Sequence, residues 1–233
     1  MIRWIAFDAD DTLWENEKYY HDGQTLLAQL LAPYQPAEVV EEELLKTETS
    51  NLSWYGYGIK AFGLSMIETA IRLSNGAVGS AEINALIRHL RSMLEQPADL
   101  LPGVLETLQL LQTDYRMMVI TKGDLLDQER KLSNSRLEDF FEAYEVVSDK
   151  HDDIYAKLLK RHTIEPREFL MVGNSLRSDI LPVVKIGGHG VYVPHRFTWA
   201  HEVVTDTNSH ADGYFQVDSI TELPLILETL KHQ

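Results

Sequence analysis

The chain has 233 residues, 44% of them hydrophobic, with 36 acidic and 21 basic side chains for a net charge of −15. This length can bury the core of one or two domains, and the acidity excludes a nucleic-acid partner, because phosphate backbones need a basic surface, while a small phosphorylated molecule needs only a local cationic pocket. The absence of cysteine excludes disulfides, thiolate catalysis and cysteine–zinc sites, no two histidines have the spacing of a zinc enzyme, no apolar run approaches the ~18 residues of a membrane span, and a first strand beginning at Ile2 leaves no room for a signal peptide, so a cytoplasmic protein with no membrane partner is expected.

The chain opens on an apolar run, Ile2-Arg3-Trp4-Ile5-Ala6-Phe7, that reads as a buried strand. It ends in three carboxylates within four residues, Asp8, Asp10 and Asp11. Carboxylates this close repel one another unless a cation or a proton lies among them. The pattern then becomes helical. Apolar stripes run through Leu26, Leu27, Leu30 and Leu31, through Val39, Val40, Leu44 and Leu45, through Ile59, Phe62, Met66, Ala70 and Leu73, and through Ile83, Leu86 and Leu90. Turn residues at Pro33, Pro36, Asn51, Gly76, Gly79 and Pro97 separate them. A four-helix insertion over residues 15–96 is expected, leaving 1–14 and 97–233 for a second domain.

From Pro102 helices and strands alternate. A helix carrying Val104, Leu108 and Leu111 precedes a strand, Met117–Ile120, that ends at Thr121-Lys122. A polar helix leads to Phe140-Phe141. The strand Tyr144–Val147 then ends at Ser148-Asp149-Lys150. After a helix carrying Ile154, Leu158 and Leu159, the strand Phe169–Val172 ends at Gly173-Asn174. A short helix over 180–186, a fifth strand at Gly190–Val193, a sixth at Tyr214–Val217 and a closing helix over Leu223–Leu230 complete the pattern. Such alternation predicts an α/β fold, a Rossmann-like parallel sheet with helices on both faces. In a parallel sheet the polar strand ends share one edge, the edge that binds ligands. Asp8, Asp10, Thr121, Lys122, Lys150, Asn174 and Asp179 therefore converge, and together they can hold a divalent cation beside a phosphate.

These residues carry a family resemblance across the whole chain. Asp8-Ala9-Asp10-Asp11-Thr12, Thr121, Lys150 and Gly173-Asn174-Ser175-Leu176-Arg177-Ser178-Asp179 match, in order, the four motifs of the haloacid dehalogenase-like hydrolase superfamily, in the branch with an α-helical cap inserted after the first motif. The resemblance implies a phosphatase in which Asp8 is the nucleophile and forms an aspartyl-phosphate. It makes Asp10 the general acid and then the base. It implies Mg²⁺ held by Asp8, Asp10 through its backbone carbonyl, Asn174 and Asp179. Thr121, Lys122 and Lys150 would hold the phosphate, and the substrate would be a small phosphorylated metabolite beneath the cap.

The match has departures. Asn174 stands where most family phosphatases carry Asp, and predicts weaker metal binding. Asn174 and Thr121-Lys122-Gly123 also resemble the metal-independent 2-haloacid dehalogenases, which lack the second acid supplied here by Asp10. A dehalogenase and a non-catalytic binding protein of the same fold are therefore the alternatives. Lys122 is expected on phosphate or in solvent. Asp11 is expected to be a bystander. Asp152 and Asp153 read as helix-start acids that complement the dipole, and Arg177 as solvated, paired with an acid, or on phosphate. The segment His189–His201, rich in aromatics and histidines, is expected to be a packed surface loop, a wall of the substrate site or a subunit contact. Trp54, Tyr55 and Tyr57 are expected in the core rather than on substrate. The sequence leaves open whether the chain is a monomer or a homodimer.

Overall fold

The computed structural model of the protein describes residues 1–197, 199–202 and 213–231. The chain divides into two compact units. The first contains residues 1–15, 98–122 and 129–233, and the second residues 16–97 and 123–128.

The first unit is built on a six-stranded parallel sheet among the described residues: β1 (Trp4–Phe7), β2 (Arg116–Lys122), β3 (Ala143–Val147), β4 (Phe169–Gly173), β5 (His189–Tyr192) and β6 (Tyr214–Gln216). Their order is β3-β2-β1-β4-β5-β6. β1 lies at the centre, and the chain winds outward from it in both directions. That reversal is the switch point where open parallel sheets bind ligands. All four residues of β1 are buried, because a strand covered on both faces is apolar throughout.

Alternation along β1 splits the core in two. Ile5 and Phe7 pack with Val104, Leu108, Leu223 and Leu227 from helices α5 (Val104–Leu111) and α9 (Leu223–Lys231). Trp4 and Ala6 pack with Tyr155, Leu158, Leu159 and Val183 from α7 (Asp152–Arg161) and α8 (Leu181–Lys185). The register aligns the strand ends. Phe7 pairs with Val119 of β2 and Val172 of β4, so Asp8, Thr121 and Asn174 leave the sheet at nearly one level.

The second unit holds four helices, α1 (Glu17–Leu31), α2 (Ala37–Tyr55), α3 (Ile59–Leu73) and α4 (Ser80–Glu95). Their stripes meet in a core of Leu27, Leu31, Val40, Leu44, Ile59, Phe62, Met66 and Leu86. Residues 123–128 join this unit, where Lys60 Nζ bonds Asp124 Oδ1 at 2.8 Å. They begin α6 (Leu125–Ser135). One expectation is corrected. Trp54 is 81% exposed and Tyr55 is exposed as well. They sit in the last turn of α2, beyond the buried positions Leu44, Thr47 and Asn51. Among the described residues no helix is long and apolar enough to cross a membrane.

Candidate active site

After β1 the main chain folds into a tight loop. The Leu13 N–H donates to Ala9 O at 2.8 Å and the Asp11 N–H to Trp14 O at 2.7 Å. Asp11 has φ +59°, a left-handed conformation that Asp tolerates better than most residues. This loop holds Asp8, 7% exposed, at the mouth of the sheet.

Two carboxylates and one ammonium form the centre. Lys150, brought in by the turn after β3, has a side chain 2% exposed and donates to Asp8 Oδ1 and, at 2.7 Å, to Asp179 Oδ1. Asp179 Oδ2 accepts the Ser175 N–H at 2.9 Å. Gly173 makes that possible, because a Cβ there would collide with the Asp179 carboxylate. Burial pushes the Asp8 carboxyl up, Asp179 and Asp10 push the same way, and Lys150 opposes them; the balance stands at about 7. Burial works against the Lys150 charge, but Asp179 and Asp8 outweigh it and hold its pKa well above the usual lysine value.

On the other side of Asp8, the Thr12 hydroxyl lies 3.4 Å from both Asp8 Oδ2 and Asn174 Oδ1. The Asp8 carboxyl and the Asn174 amide oxygen, brought together at the Thr12 hydroxyl, are hard oxygen donors. That is the chemistry Mg²⁺ prefers, so these residues fit the expected ion. Asp179 is engaged by Lys150 and the Ser175 amide.

Asp10 Oδ1 accepts the Trp14 indole N–H at 2.8 Å and the Lys131 ammonium at 2.9 Å. Neither partner was anticipated. Trp14 is visible in retrospect, four residues on in the same loop. Lys131 arrives from α6 with no local signal. Thr121 is buried at the end of β2, with its hydroxyl 3.3 Å from Lys122 O.

Lys122 does not extend into solvent. Its side chain is 14% exposed, and Nζ donates to Ser178 Oγ at 2.9 Å and Glu202 Oε1 at 2.6 Å. Asp152 and Asp153 stand in the first turn of α7, as helix-start acids do, and Asp152 pairs with Lys185. Arg177 is exposed, as the solvated reading expects, and it also donates to His201 O at 2.5 Å.

The segment His189–His201 is a packed element in its described part; Thr198 lies outside the described residues. The His195 ring lies between Asp11 Oδ1, 3.4 Å from Nδ1, and Glu15 Oε2, 3.6 Å from Nε2. These three side chains offer ligand atoms within 4.8 Å of one another. Their two carboxylates face different ring nitrogens, so they form a polar cluster that includes Asp11 of the loop after β1. Asp11 is therefore buried and anchored there.

The chain matches a family model described as haloacid dehalogenase-like hydrolase over residues 2–187. It is 27% identical to the glyceraldehyde 3-phosphate phosphatase of Pyrococcus furiosus, covering 100% of this chain and 94% of that protein. It is 22% identical to human N-acylneuraminate-9-phosphatase, covering 98% and 95%. Its fold matches the crystal structure of a haloacid dehalogenase-like family hydrolase from Xanthomonas campestris with a TM-score of 0.88 and 35% identity, covering 100% of this chain and 93% of that one.

Proposed function

The chain belongs to the haloacid dehalogenase-like hydrolases, and on that premise we propose that it is a Mg²⁺-dependent phosphatase that hydrolyses a small phosphorylated metabolite through an aspartyl-phosphate on Asp8. The observation that carries this reading is the pair Asp8 and Asp10 in different environments. Lys150 contacts Asp8, while Lys131 and Trp14 hold Asp10. Two carboxylates whose surroundings differ can take different roles.

In this reading Asp8 attacks phosphorus in line with the leaving oxygen, the P–O ester bond breaks, and Asp10 gives its proton to the departing alkoxide. Lys131 stabilises the carboxylate that remains. Asp10 then takes a proton from the water that attacks phosphorus. The bond from Asp8 to phosphorus breaks, and inorganic phosphate leaves. Lys150 and the Thr121 hydroxyl offset the charge on the phosphoryl oxygens. Asp8, the Asp10 carbonyl and Asn174 would hold Mg²⁺, with Asp179 beside them. Bound there, the ion supplies positive charge that lets an anionic nucleophile approach an anionic ester. Residues 15–96 form the cap that selects the substrate.

The phosphatase names of the relatives at 27% and 22% identity support a phosphate monoester as the substrate class. The test is phosphate release from a panel of small monoesters that includes glyceraldehyde 3-phosphate and N-acylneuraminate 9-phosphate. Turnover that needs Mg²⁺ supports the reading. No phosphate release from any member, at high Mg²⁺ and with folded protein, rejects it.

A further inference from the structure

One carboxylate near the strand ends has no part in the reaction above. Glu202 follows the His189–His201 segment and closes a short helical turn, Ala200–Glu202. Its side chain is 12% exposed. Oε1 accepts Lys122 Nζ at 2.6 Å, and Oε2 accepts Ser175 Oγ at 2.5 Å and Ser178 Oγ at 2.6 Å. Each hydroxyl serves twice. Ser178 Oγ also accepts from Lys122 at 2.9 Å, and Ser175 Oγ accepts the Ser178 N–H at 3.0 Å.

These three donors are neighbours of the proposed site residues. Lys122 follows Thr121, Ser175 follows Asn174, and Ser178 precedes Asp179. We propose that Glu202 restrains phosphate affinity: its carboxylate balances the Lys122 charge and ties the end of β2 to the turn that carries Asn174 and Asp179. The assignment rests on the phosphatase reading. Burial alone would raise the Glu202 carboxyl, but Lys122 and the bonds from Lys122, Ser175 and Ser178 outweigh it and hold it at about 2, so Glu202 is ionised throughout the working pH range.

The consequence concerns anion affinity. A lysine beside the phosphate residues attracts phosphate strongly only if its charge is not balanced locally. With Glu202 ionised the pair is neutral, and Lys122 contributes little net attraction. Glu202→Gln keeps the shape and removes the negative charge. Lys122→Met leaves that charge without its cation.

The test is a double-mutant cycle on inorganic phosphate binding, read by calorimetry in Mg²⁺, which requires no turnover. Glu202→Gln is expected to tighten phosphate binding by about three- to tenfold, and Lys122→Met to weaken it by a similar factor. The double variant is expected to return to within about twofold of the wild type. A purely structural Glu202 would lower thermal stability and leave phosphate affinity unchanged in Glu202→Gln, and that result overturns the assignment. So does a double variant that binds as weakly as Lys122→Met. Should Glu202→Gln not fold, the comparison of Lys122→Met with the double variant decides: tighter binding by the double variant supports the assignment and equal binding overturns it. A wild-type protein that binds no phosphate overturns the phosphatase reading and this assignment together, whereas phosphate binding with a cycle that fails as above overturns this assignment alone.

Discussion

Lys150→Met removes an ammonium that is 2% exposed and lies between two carboxylates. The Asp8 and Asp179 side chains are themselves only 10% and 1% exposed, so water cannot take the lysine's place. Breaking a buried pair by removing one partner costs about 3–5 kcal/mol. Unfolding entropy of about 2.1 cal/mol/K per residue amounts to roughly 0.5 kcal/mol/K for a chain of this length, so Tm should fall by about 6–10 °C. Chemistry suffers separately. Both influences that lower the Asp8 carboxyl come from Lys150. Without them Asp8 moves above about 7 and is mostly protonated at neutral pH, a poor nucleophile. Loss of the charge proposed to stabilise the phosphoryl oxygens should lower kcat by a further ~100- to 1000-fold. The assays are thermal unfolding of the metal-free protein and kcat against pH in Mg²⁺, where the acid limb should move to higher pH. A Tm within about 2 °C of the wild type, with kcat and its acid limb unchanged, would refute the reasoning.

Four further variants test the same geometry. Asp8→Asn should lower kcat by about 10,000-fold or more. The raised Asp8 pKa means that ionised Asp8 opposes folding: its stabilising contribution is present below the unfolded value of 3.8 and lost as pH rises through about 7. Thermal unfolding above pH 7 should therefore show the metal-free Asp8→Asn protein melting higher than the wild type. Asn174→Asp should tighten Mg²⁺ by about tenfold through the added charge, and a titration that shows no tightening removes Asn174 from the ligand set. Lys131→Met should cut kcat about tenfold on alkyl phosphates and less on aryl phosphates, whose leaving group needs little protonation; equal losses on both would exclude a role through Asp10. Glu202 has a depressed pKa, so its contribution of about 3 kcal/mol is present above the unfolded value near 4.5 and lost as pH falls through about 2. The Tm gap between wild type and Glu202→Gln should shrink over that window, and a constant gap would contradict the pairing.

The centre of the sheet was legible because β1, β2 and β4 carry short apolar runs closed by polar residues. The apolar run before Asp8 is buried on both faces, so its whole length is hydrophobic, and the parallel ladder then places Asp8, Thr121 and Asn174 at one edge. Alternation of Trp4 and Ala6 against Ile5 and Phe7 carries no visible signal when both faces are apolar, and the split of the core became clear only in three dimensions. The helical stripes were largely legible, apart from Val39, which is exposed, and from Trp54 and Tyr55, aromatics expected in the core that lie exposed in the last turn of α2. Lys131 and Glu202 were not legible. Each approaches the strand ends from a distant element, and a single charged residue on a polar stretch looks the same whether it faces solvent or a buried partner. Lys122 was misjudged as a candidate for solvent for the same reason, since its partner is 80 residues away.

The central claim is that Asp8 attacks phosphorus with help from Mg²⁺. Its most direct test is phosphate release from an aryl phosphate by wild type and Asp8→Asn side by side, in Mg²⁺ and in EDTA, with halide release from 2-chloropropionate followed in parallel. Turnover of the phosphate by the wild type in Mg²⁺ alone, with neither activity in EDTA, is the predicted result. Full phosphate turnover by Asp8→Asn, or halide release by the wild type that survives EDTA, would contradict it.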